Sequence, residues 1–595
     1  MYVSITGRKG YEQVEIKECV RIPGTNKKKQ MTVKRCGSLK ALTLKDPNYI
    51  ENLKEELKQE REEKKRDKTI NFVTMPKEIG EVTDQRPSFH FGHMIVKKIW
   101  EIMKLDNFFD KHVTKKNKEE CIDAIYNLLA SRLGDPISIL QTSKRQKKKA
   151  GTKEVSLDVL YSALDVLNEN KEELIKHLSS FFEKNTKRDL NTVSYDVTNY
   201  YFESQSEGEL RLFGFSKEHK TNEVIVVMGL LIDSNGIPVT MRLFPGNTMD
   251  QNTLQDSIDA LRELYGFKKI TVIADRGMNS KENLVFLSSS NQHFLISYTL
   301  KKASEEIKEQ SLSNDWQDVV TNSDGEIVSA TKTMDTIVKA KVALTDREIE
   351  AIKEEKKTKG EKGRIAKYKT IEVKAKLHVS YSLKRAEKDA YDRERAIAKA
   401  RKKLENGAAS QAIKHGVNKY MLFSEELKAV GIDEERIAEE AKWDGMYAII
   451  TDNTELTSKE VFSLYKTQWK IEECFRILKT DLNARPVHVY KDEHIYGHFI
   501  LCYLALCMIR YLQYWLKTEY KIEMSASRIM ESIEEPKAVV MGQMPKAIIV
   551  PTDLSEDFLL LINKLGFRRL ETEMTPTRFR AITKLNLLDQ LNSLK

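Results

Sequence analysis

Residues 190–275 hold the pattern that most constrains the fold of this chain, because apolar and polar residues there follow the periods of strands and of one helix in a fixed order. Strict alternation predicts a strand, and the Asn235-Gly236 pair between two β-rich runs predicts a hairpin. The predicted order is strand, hairpin, helix and strand, at residues 192–198, 224–233 with 237–244, 250–264 and 270–274.

Two acidic residues occupy defined places in this order. Asp196 lies in the middle of the first strand, and Asp275 directly follows the last. An RNase H-like nuclease core requires acids at these two places, so the sequence predicts a mixed α/β fold with such a core.

A third acid lies in residues 465–479, which predict one amphipathic helix. At about 100° per residue, the polar residues share one face, within roughly 40° of Glu472. They are Tyr465, Gln468, Glu472, Arg476 and Lys479. The opposite face is apolar and carries Ile471, Cys474, Ile477 and Leu478. Taken alone, the segment is better explained as an ordinary amphipathic surface helix.

The three acids together indicate a metal site. Two divalent ions about 4 Å apart need carboxylates from separate elements, and Mg²⁺ prefers oxygen ligands. Asp196, Asp275 and Glu472 meet that requirement if the elements converge as predicted. Each acid alone is weak evidence, because strand-end aspartates often cap turns and helix glutamates are mostly solvated.

The composition of the chain indicates the class of partner that it binds and the cellular compartment in which it works. The net charge is +10, 32% of residues are charged, and the basic residues cluster locally, which favours nucleic acid as the partner. Six cysteines without a C-x-x-C pair suggest neither a disulfide framework nor a thiolate zinc site, which fits a reducing cytoplasm. The most apolar run, 496–516, contains His498, Arg510 and Gln513, so we expect a buried helix and no membrane span.

Changes in texture divide the chain into seven parts. We expect a β-rich basic N-terminal unit, a charged helical linker, a helical DNA-binding or dimerisation domain, the first part of the core, a charged and irregular insertion, the second part of the core and a C-terminal helical region. Their predicted bounds are 1–50, 51–80, 81–185, 186–300, 301–440, 441–520 and 521–595. Within the helical domain, the basic loop 144–149 is either solvated or a DNA contact.

The motifs resemble a known family. The spacing Tyr465-x₂-Gln468-x₃-Glu472-x₆-Lys479 is similar to the Y-(2)-R-(3)-E-(6)-K pattern of IS4-type DDE transposases. Residues 195–203 and 274–277 resemble the first and second acidic motifs of that superfamily. Residues 214–217, 244–248 and 443–445, with the long insertion, look most like the IS1634 (IS1549-related) branch.

The resemblance implies a bacterial, cytoplasmic, nucleoid-associated enzyme that cleaves the ends of an insertion sequence and joins them to target DNA. It implies two Mg²⁺ ions, for which Mn²⁺ can substitute, held by Asp196, Asp275 and Glu472. The partners it implies are double-stranded DNA, as terminal inverted repeats and target, and a second copy of the chain in a synaptic complex. Tyr465 and Lys479 would contact a phosphate beside the cleaved bond.

One position departs from the family pattern, because Gln468 stands where the family has Arg. An amide can donate to a phosphate oxygen but lacks the bidentate, charged contact. Either Arg476 supplies the missing charge, or end binding relies on Lys479 and the N-terminal domain. We expect Gln468→Arg to keep or strengthen end binding. Trp469 is predicted to pack in the core, with stacking on an unpaired base as the alternative.

Three other functions are less well supported. An RNase H-like nuclease of repair or recombination would share the acids but need not carry the Tyr465–Lys479 face. A domesticated, inactive DNA-binding protein would have lost at least one acid. A hydrolase using His494 or His498 is disfavoured, because a lone histidine beside an apolar helix is usually a hydrogen-bonded core residue.

Overall fold

The computed structural model contains two compact units, 1–84 and 85–595. The residues it describes are 2–8, 10–21, 28–66, 87–114, 117–215, 222–266, 269–344, 346–359, 367–406, 416–425 and 429–592. Several predicted features therefore fall outside the described residues in whole or in part. They include Lys27 of the basic N-terminal unit, linker residues 67–80, residues 81–86 at the start of the predicted helical domain, and Ser216 and Lys217 of the 214–217 motif.

The first unit is a three-stranded antiparallel sheet followed by two helices. Its elements are β1 (Tyr2–Thr6), β2 (Gln13–Arg21), β3 (Lys28–Ser38), α1 (Leu39–Lys45) and α2 (Tyr49–Arg66). Val14 and Ile16 alternate along β2 and are both buried. The sheet therefore has one apolar face, as the period of a strand requires.

The second unit begins with one short strand and six helices. These are β4 (Ser88–His90), α3 (Met94–Ile102), α4 (Leu105–His112), α5 (Lys118–Leu133), α6 (Ile139–Arg145), α7 (Leu157–Glu169) and α8 (Lys171–Asn185). The side chains of Ser138 and Ser156 accept from Gln141 N and Val159 N and so cap α6 and α7. A 3₁₀ turn, 146–148, follows α6.

A nine-stranded sheet forms the centre of the second unit, so the predicted mixed α/β class is confirmed at that level. The strand order is β10-β11-β12-β15-β9-β8-β5-β6-β7, in which β5, β8 and β9 run parallel and the other pairs are antiparallel. The strands are β5 (Thr192–Tyr201), β6 (Ile225–Asp233), β7 (Pro238–Pro245), β8 (Thr271–Ala274), β9 (His293–Tyr298), β10 (Asp318–Thr321), β11 (Ile327–Ala343), β12 (Tyr368–Ser382) and β15 (Met446–Thr451).

The predicted strand, hairpin, helix and strand are all present as β5, β6 with β7, α9 (Asp250–Tyr265) and β8. The turn at Gly236 has a φ of +81°, which glycine adopts without strain. Both faces of β5 are largely covered, so the polar face holding Ser194 and Thr198 is buried and not solvated.

The region predicted to be irregular, 301–440, is largely ordered and extends the same sheet. Its elements are α11 (Glu305–Leu312), β10, β11, α12 (Asp346–Lys359), β12, α13 (Leu383–Glu405), β13 (Met421–Phe423), β14 (Ala429–Ile432) and α14 (Glu434–Ala441). The prediction of an irregular region is wrong, because the many charged residues hide the alternation of buried and exposed positions that is typical of a strand. Val338 and Ala340 are buried while Lys339 between them is exposed, as an edge hairpin with one covered face requires.

The remaining elements complete the core and the C-terminal region. They are α10 (Lys281–Ser289), α15 (Ser458–Tyr465), α16 (Trp469–Arg476), α17 (Asp492–Tyr520), α18 (Ala526–Glu534), β16 (Lys537–Met541), β17 (Ile548–Thr552), α19 (Glu556–Lys564), α20 (Pro576–Thr583) and α21 (Leu588–Asn592). β16 pairs with both β17 and β4, so the C-terminal region packs on the start of this unit.

Helix α17 is long and apolar enough to cross a membrane by length and composition alone. Its most apolar window is 94% buried inside the protein, against α5, α7 and β7. This is the placement of a core helix, as the polar residues in 496–516 predicted.

Candidate active site

The first two predicted acids are adjacent because of strand register. β5 and β8 are parallel neighbours, and Tyr195 pairs with Ala274. Asp196 and Asp275 are the next residues on their strands, and neighbouring strands lie about 4.8 Å apart. Asp196 is half-buried and its Oδ1 accepts from Val197 N at 2.7 Å, whereas Asp275 is exposed. The sheet therefore presents both carboxylates at one position.

The third acid is carried by a helix that packs on the same strand. α16 contacts β5 and β6, and Gln468, which immediately precedes α16, donates from Nε2 to Tyr195 O at 3.4 Å. Glu472 lies one turn after Gln468 and is exposed. All three acids thus belong to elements that meet at the centre of β5.

Residues 465–479 do not form the single regular helix that the sequence predicted. α15 ends at Tyr465, a 3₁₀ turn covers 466–468, α16 follows, and 477–481 form a π turn. A 3₁₀ turn tightens the helix and a π turn widens it, so ideal α angles do not hold across the segment. The predicted apolar side is confirmed, since Ile471, Cys474, Ile477 and Leu478 are fully buried.

Tyr465 contacts the second acid directly. Its hydroxyl donates to Asp275 Oδ1 at 3.4 Å, and its ring packs against Tyr447 at 5.7 Å between centroids. Burial raises the pKa of the Tyr465 phenol, and Tyr447 and Asp275 raise it further. The phenol therefore stays protonated near neutral pH, so its hydroxyl can donate to the Asp275 carboxylate.

Gln468 is only 7% exposed, so the residue that departs from the family pattern lies inside the protein. Its Nε2 reaches the backbone carbonyl of the residue before Asp196, and its Oε1 is buried without a hydrogen-bond partner among the described residues. In this arrangement Gln468 supports the backbone of β5 at the first acid.

The two basic residues of the predicted polar face have different surroundings. Arg476 forms an ion pair with Asp481 at 3.0 Å, so its charge is already engaged. Lys479 is half-buried, and its Nζ lies 5.6 Å from the centre of the Tyr200 ring, at the end of β5 beyond Asp196. Of the two, Lys479 is the one positioned along the strand that carries the first acid.

The three acids are suitable ligands for a divalent metal ion, because Mg²⁺ prefers carboxylate oxygens. Among the described residues, however, no three His, Cys, Asp or Glu side chains are close enough to hold one metal ion. Register sets Asp196 and Asp275 on neighbouring strands, and Glu472 is carried by a helix that packs on one of them. The donor set therefore fits the ions in chemistry.

A cavity of about 510 Å³ opens beside Asp275 and was not expected from the sequence. Arg276, Lys301 and Arg385 line it, and the Arg385 guanidinium lies over the Tyr447 ring at 4.9 Å. Arg385 lies in the first turn of α13, the helix that follows β12. The residues around it in the sequence are mostly charged, so no motif distinguishes it. Only the pairing of β12 with β15 brings it near the acids.

Trp469 corrects a prediction, because its side chain is 56% exposed and not packed in the core. It lines a cavity of about 750 Å³ together with Lys470, Tyr514, Lys517 and Lys521. The side chain is therefore accessible to a ligand.

The two histidines near α17 have structural surroundings. His498 is buried, and its Nε2 lies 3.1 Å from Ala484 O. Burial and the nearby Arg132 lower the pKa of His498 to about 3. His494 pairs with Asp165 at 3.2 Å and stacks on Tyr161. These contacts give no support to a histidine-based hydrolase.

The predicted basic loop is partly engaged by the protein itself. Arg145 pairs with Asp135 at 2.5 Å, and Lys147 with Glu154 at 3.5 Å. The Nζ of Lys149 is inaccessible and has no hydrogen-bond partner among the described residues. Burial lowers the pKa of Lys149 to about 7. Lys149 is therefore not a DNA contact in this arrangement, and the role of the exposed lysines stays a prediction.

Comparisons with known proteins concern the part of the chain that holds the three acids. The family described as "Transposase DDE domain" matches residues 196–508, just over half of the chain, from the first acid to beyond the third. No curated protein matches the chain.

Two solved structures align with it at low similarity. A piggyBac transposase synaptic complex with hairpin DNA has 9% identity and a TM-score of 0.34, over 74% of this chain and 76% of that one. A Mos1 transposase paired-end complex with the left transposon end has 13% identity and a TM-score of 0.14, over 40% of this chain and 66% of that one.

Proposed function

This chain belongs to the family of DDE-domain transposases, and we propose that it is the transposase of an insertion sequence, of the IS4 type and the IS1634 branch. It would cleave the ends of the element and transfer them to target DNA through an RNase H-like core. The observation that carries the proposal is the parallel register of β5 and β8, which sets Asp196 beside Asp275, with the helix of Glu472 packed on the same strand.

Asp196, Asp275 and Glu472 would hold two Mg²⁺ ions, or Mn²⁺ in their place. Such ions supply a nucleophile at neutral pH and neutralise charge on the attacked phosphate. Because the acids are not close enough in the described residues to share an ion, we propose that the position of Glu472 adjusts when DNA and metal bind.

The chain's own groups would orient the reactants. The Tyr465 hydroxyl fixes the Asp275 carboxylate, and Gln468 fixes the β5 backbone at Asp196. Lys479 would contact a phosphate next to the cleaved bond, since its ammonium lies along the strand beyond Asp196. Arg476 can contribute to DNA binding only when it leaves Asp481.

The proposed partners are the terminal inverted repeats, target DNA and a second copy of the chain in a synaptic complex. The cytoplasm, at the nucleoid, is the proposed location. The seven-part division, with 1–50 as a basic N-terminal unit and 81–185 as the DNA-binding or dimerisation domain, belongs to the same proposal.

Cleavage of DNA that carries the element's ends tests this function. Purified full-length protein is incubated with that DNA in Mg²⁺ or in EDTA, and wild type is compared with Glu472→Gln. We expect wild type to cleave at the ends in Mg²⁺ only, and Glu472→Gln to lose that activity. The matched control is Glu531→Gln, which removes an exposed glutamate of α18 and should cleave like wild type.

Three outcomes would contradict the proposal. If Glu472→Gln cleaves as well as wild type, Glu472 has no role in the chemistry. If wild type cuts DNA with no preference for the ends, the protein is an RNase H-like nuclease of another kind; if it binds the ends and never cuts, it is a domesticated DNA-binding protein.

A further inference from the structure

A groove of about 200 Å³ lies between α3 and the ends of α19 and α20, in a region to which the proposed chemistry assigns no role. Three segments line it: one face of α3, residues 565–568 after α19, and residues 581–584 at the end of α20. The α3 residues are spaced at i, i+3, i+4 and i+7, so they share one side of the helix.

The groove has an apolar floor and a basic rim. Met94, Leu565 and Ile582 are buried and form the floor. The rim carries four cationic side chains and one carboxylate, which belong to Lys97, Lys98, Arg568, Lys584 and Glu101. Counting only the charged side chains, the rim has an excess of positive charge, which favours binding of an anion.

The rim cations are not used to hold the protein together by ion pairs. None of the four forms an ion pair with another described residue, although the Lys97 ammonium lies 5.9 Å from the centre of the Tyr126 ring. Two other arginines of the C-terminal region do form ion pairs, Arg528 with Asp557 and Arg578 with Glu571. The rim cations therefore keep their charges available for a ligand.

Backbone geometry fixes two of these cations in place. Gly566, with a φ of +77°, ends α19, and the next N–H, that of Phe567, returns to Ile562 O at 2.9 Å, so Arg568 leaves the helix toward the groove. Lys584, with a φ of +62°, ends α20, and its N–H bonds to Arg580 O at 2.9 Å.

The two helix ends carry partial negative charge, about half an elementary charge each at most. The capping bonds use some of the carbonyls that produce it. Four cations against one carboxylate and two half charges leave a surplus of about two positive charges around the groove. An anion is therefore favoured even with the helix dipoles included.

We infer that this groove binds the phosphate backbone of duplex DNA outside the catalytic centre and without regard to base sequence. The inference rests on the proposed function, which supplies DNA as the polyanion. Cations from three separate segments suit several phosphates along a strand better than one small anion, and the groove offers few groups that would read base edges.

Salt dependence of DNA binding tests the inference. Full-length protein is titrated with a duplex that lacks the element's ends, in EDTA and across a range of NaCl concentrations. The variant is Lys98→Gln/Arg568→Gln/Lys584→Gln; Lys97 is kept because its ammonium packs on Tyr126. Each lost phosphate contact reduces the slope of log K against log salt by about 0.9, so we expect a slope smaller by about 2 to 3.

The matched control removes one arginine and two lysines that are paired on their own helices. It is Arg262→Gln/Lys308→Gln/Lys442→Gln, whose partners are Asp259, Glu305 and Glu439. We expect its slope to match wild type. Thermal unfolding of both variants establishes that they are folded at the assay temperature.

The outcomes separate this inference from the proposed function. If wild type binds no DNA at all, the proposed function fails together with the groove. If wild type binds DNA and cleaves element ends but the groove variant keeps the wild-type slope, the groove inference alone is wrong. It is also wrong if the variant loses affinity for inorganic phosphate or for polyglutamate but not for DNA.

Discussion

The hydroxyl of Tyr465 lies 3.4 Å from Asp275 Oδ1, so a residue that the family pattern associates with DNA contacts the second acid directly. The two residues are 190 positions apart in the chain. The ring of Tyr465 is held by Tyr447, whose own neighbour is Arg385. The orientation of Asp275 therefore depends on the core and on the inserted strands together.

Tyr465→Phe is expected to slow end cleavage by about 10- to 100-fold, the usual effect of removing a group that orients a metal ligand. The ring contact with Tyr447 remains, so the thermal midpoint should change little. Initial rates on DNA carrying the element's ends measure the effect. Tyr391→Phe, at an exposed tyrosine of α13, serves as the control. Equal rates for Tyr465→Phe and wild type would exclude an orienting role for the hydroxyl.

Gln468→Leu should reduce cleavage more than it reduces DNA binding. The substitution removes the hydrogen bond to Tyr195 O, which is worth about 1 kcal/mol, and leaves the backbone beside Asp196 less restrained. Filter binding and cleavage rates on the same end-bearing DNA separate the two effects. A loss confined to binding would instead support the phosphate contact expected from the sequence, and Gln468→Arg would then strengthen binding.

Lys149→Met should stabilise the protein near pH 7. The folded-state pKa of Lys149 is about 7, below its ordinary 10.5, so the unfolded chain binds the proton more tightly. Burial of the charged Lys149 amine lowers the unfolding free energy of the wild type by its full amount below pH 7. This loss disappears as pH rises from 7 to 10.5. The shift sets an upper bound of about 5 kcal/mol, and we expect a gain of about 1 to 3 kcal/mol.

Urea unfolding of Lys149→Met and wild type at several pH values checks this prediction. The difference in unfolding free energy should shrink as pH rises from 7 toward 10.5. Lys148→Met, at the exposed neighbour, should show no such trend. A constant difference would mean that the Lys149 amine is not titrating over this range.

Arg188→Met should destabilise the second unit by about 3 to 5 kcal/mol, because it leaves a buried carboxylate without its partner. Arg188 Nε lies 3.3 Å from Asp233 Oδ2, and the two side chains are 1% and 0% exposed. Burial raises the pKa of Asp233 and Arg188 opposes that shift. Chemical unfolding measures the loss.

Asp233 also accepts from Asn235 N and Ile237 N at 2.9 Å and so holds the β6–β7 turn. The double variant Arg188→Met/Asp233→Asn removes both charges and keeps an oxygen for the turn. It should recover part of the stability lost in Arg188→Met. If the double variant is less stable than the single one, the isolated charge is not the cause of the loss.

The part of the fold with regular periods could be predicted from the sequence. Alternation and the Asn235-Gly236 turn gave β5 to β8 in order, and with them the adjacency of Asp196 and Asp275. The strands β11 and β12 could not be predicted from the sequence. Lysines occupy many of their exposed positions, so the high charge hides the alternating Val and Ala residues that are buried.

The helix of Glu472 was located correctly, but its details could not be derived from an ideal period. The segment contains a 3₁₀ turn and a π turn, and in it Gln468 is buried and Trp469 exposed, which an ideal helical period does not predict. Arg385 and Tyr447 lie outside the pattern of residues 190–275, and they come near Asp275 because β12 pairs with β15 and β15 pairs with β9.

The position of β15 between β12 and β9 has a consequence for any attempt to shorten this protein. Removing residues 301–440 would free one side of β15 and expose a row of unpaired backbone N–H and C=O groups. In a shortened chain β15 would become an exposed edge strand that can pair with another chain, so we expect the shortened protein to aggregate and not to yield a minimal catalytic core. The inserted strands therefore protect the edge of the core sheet.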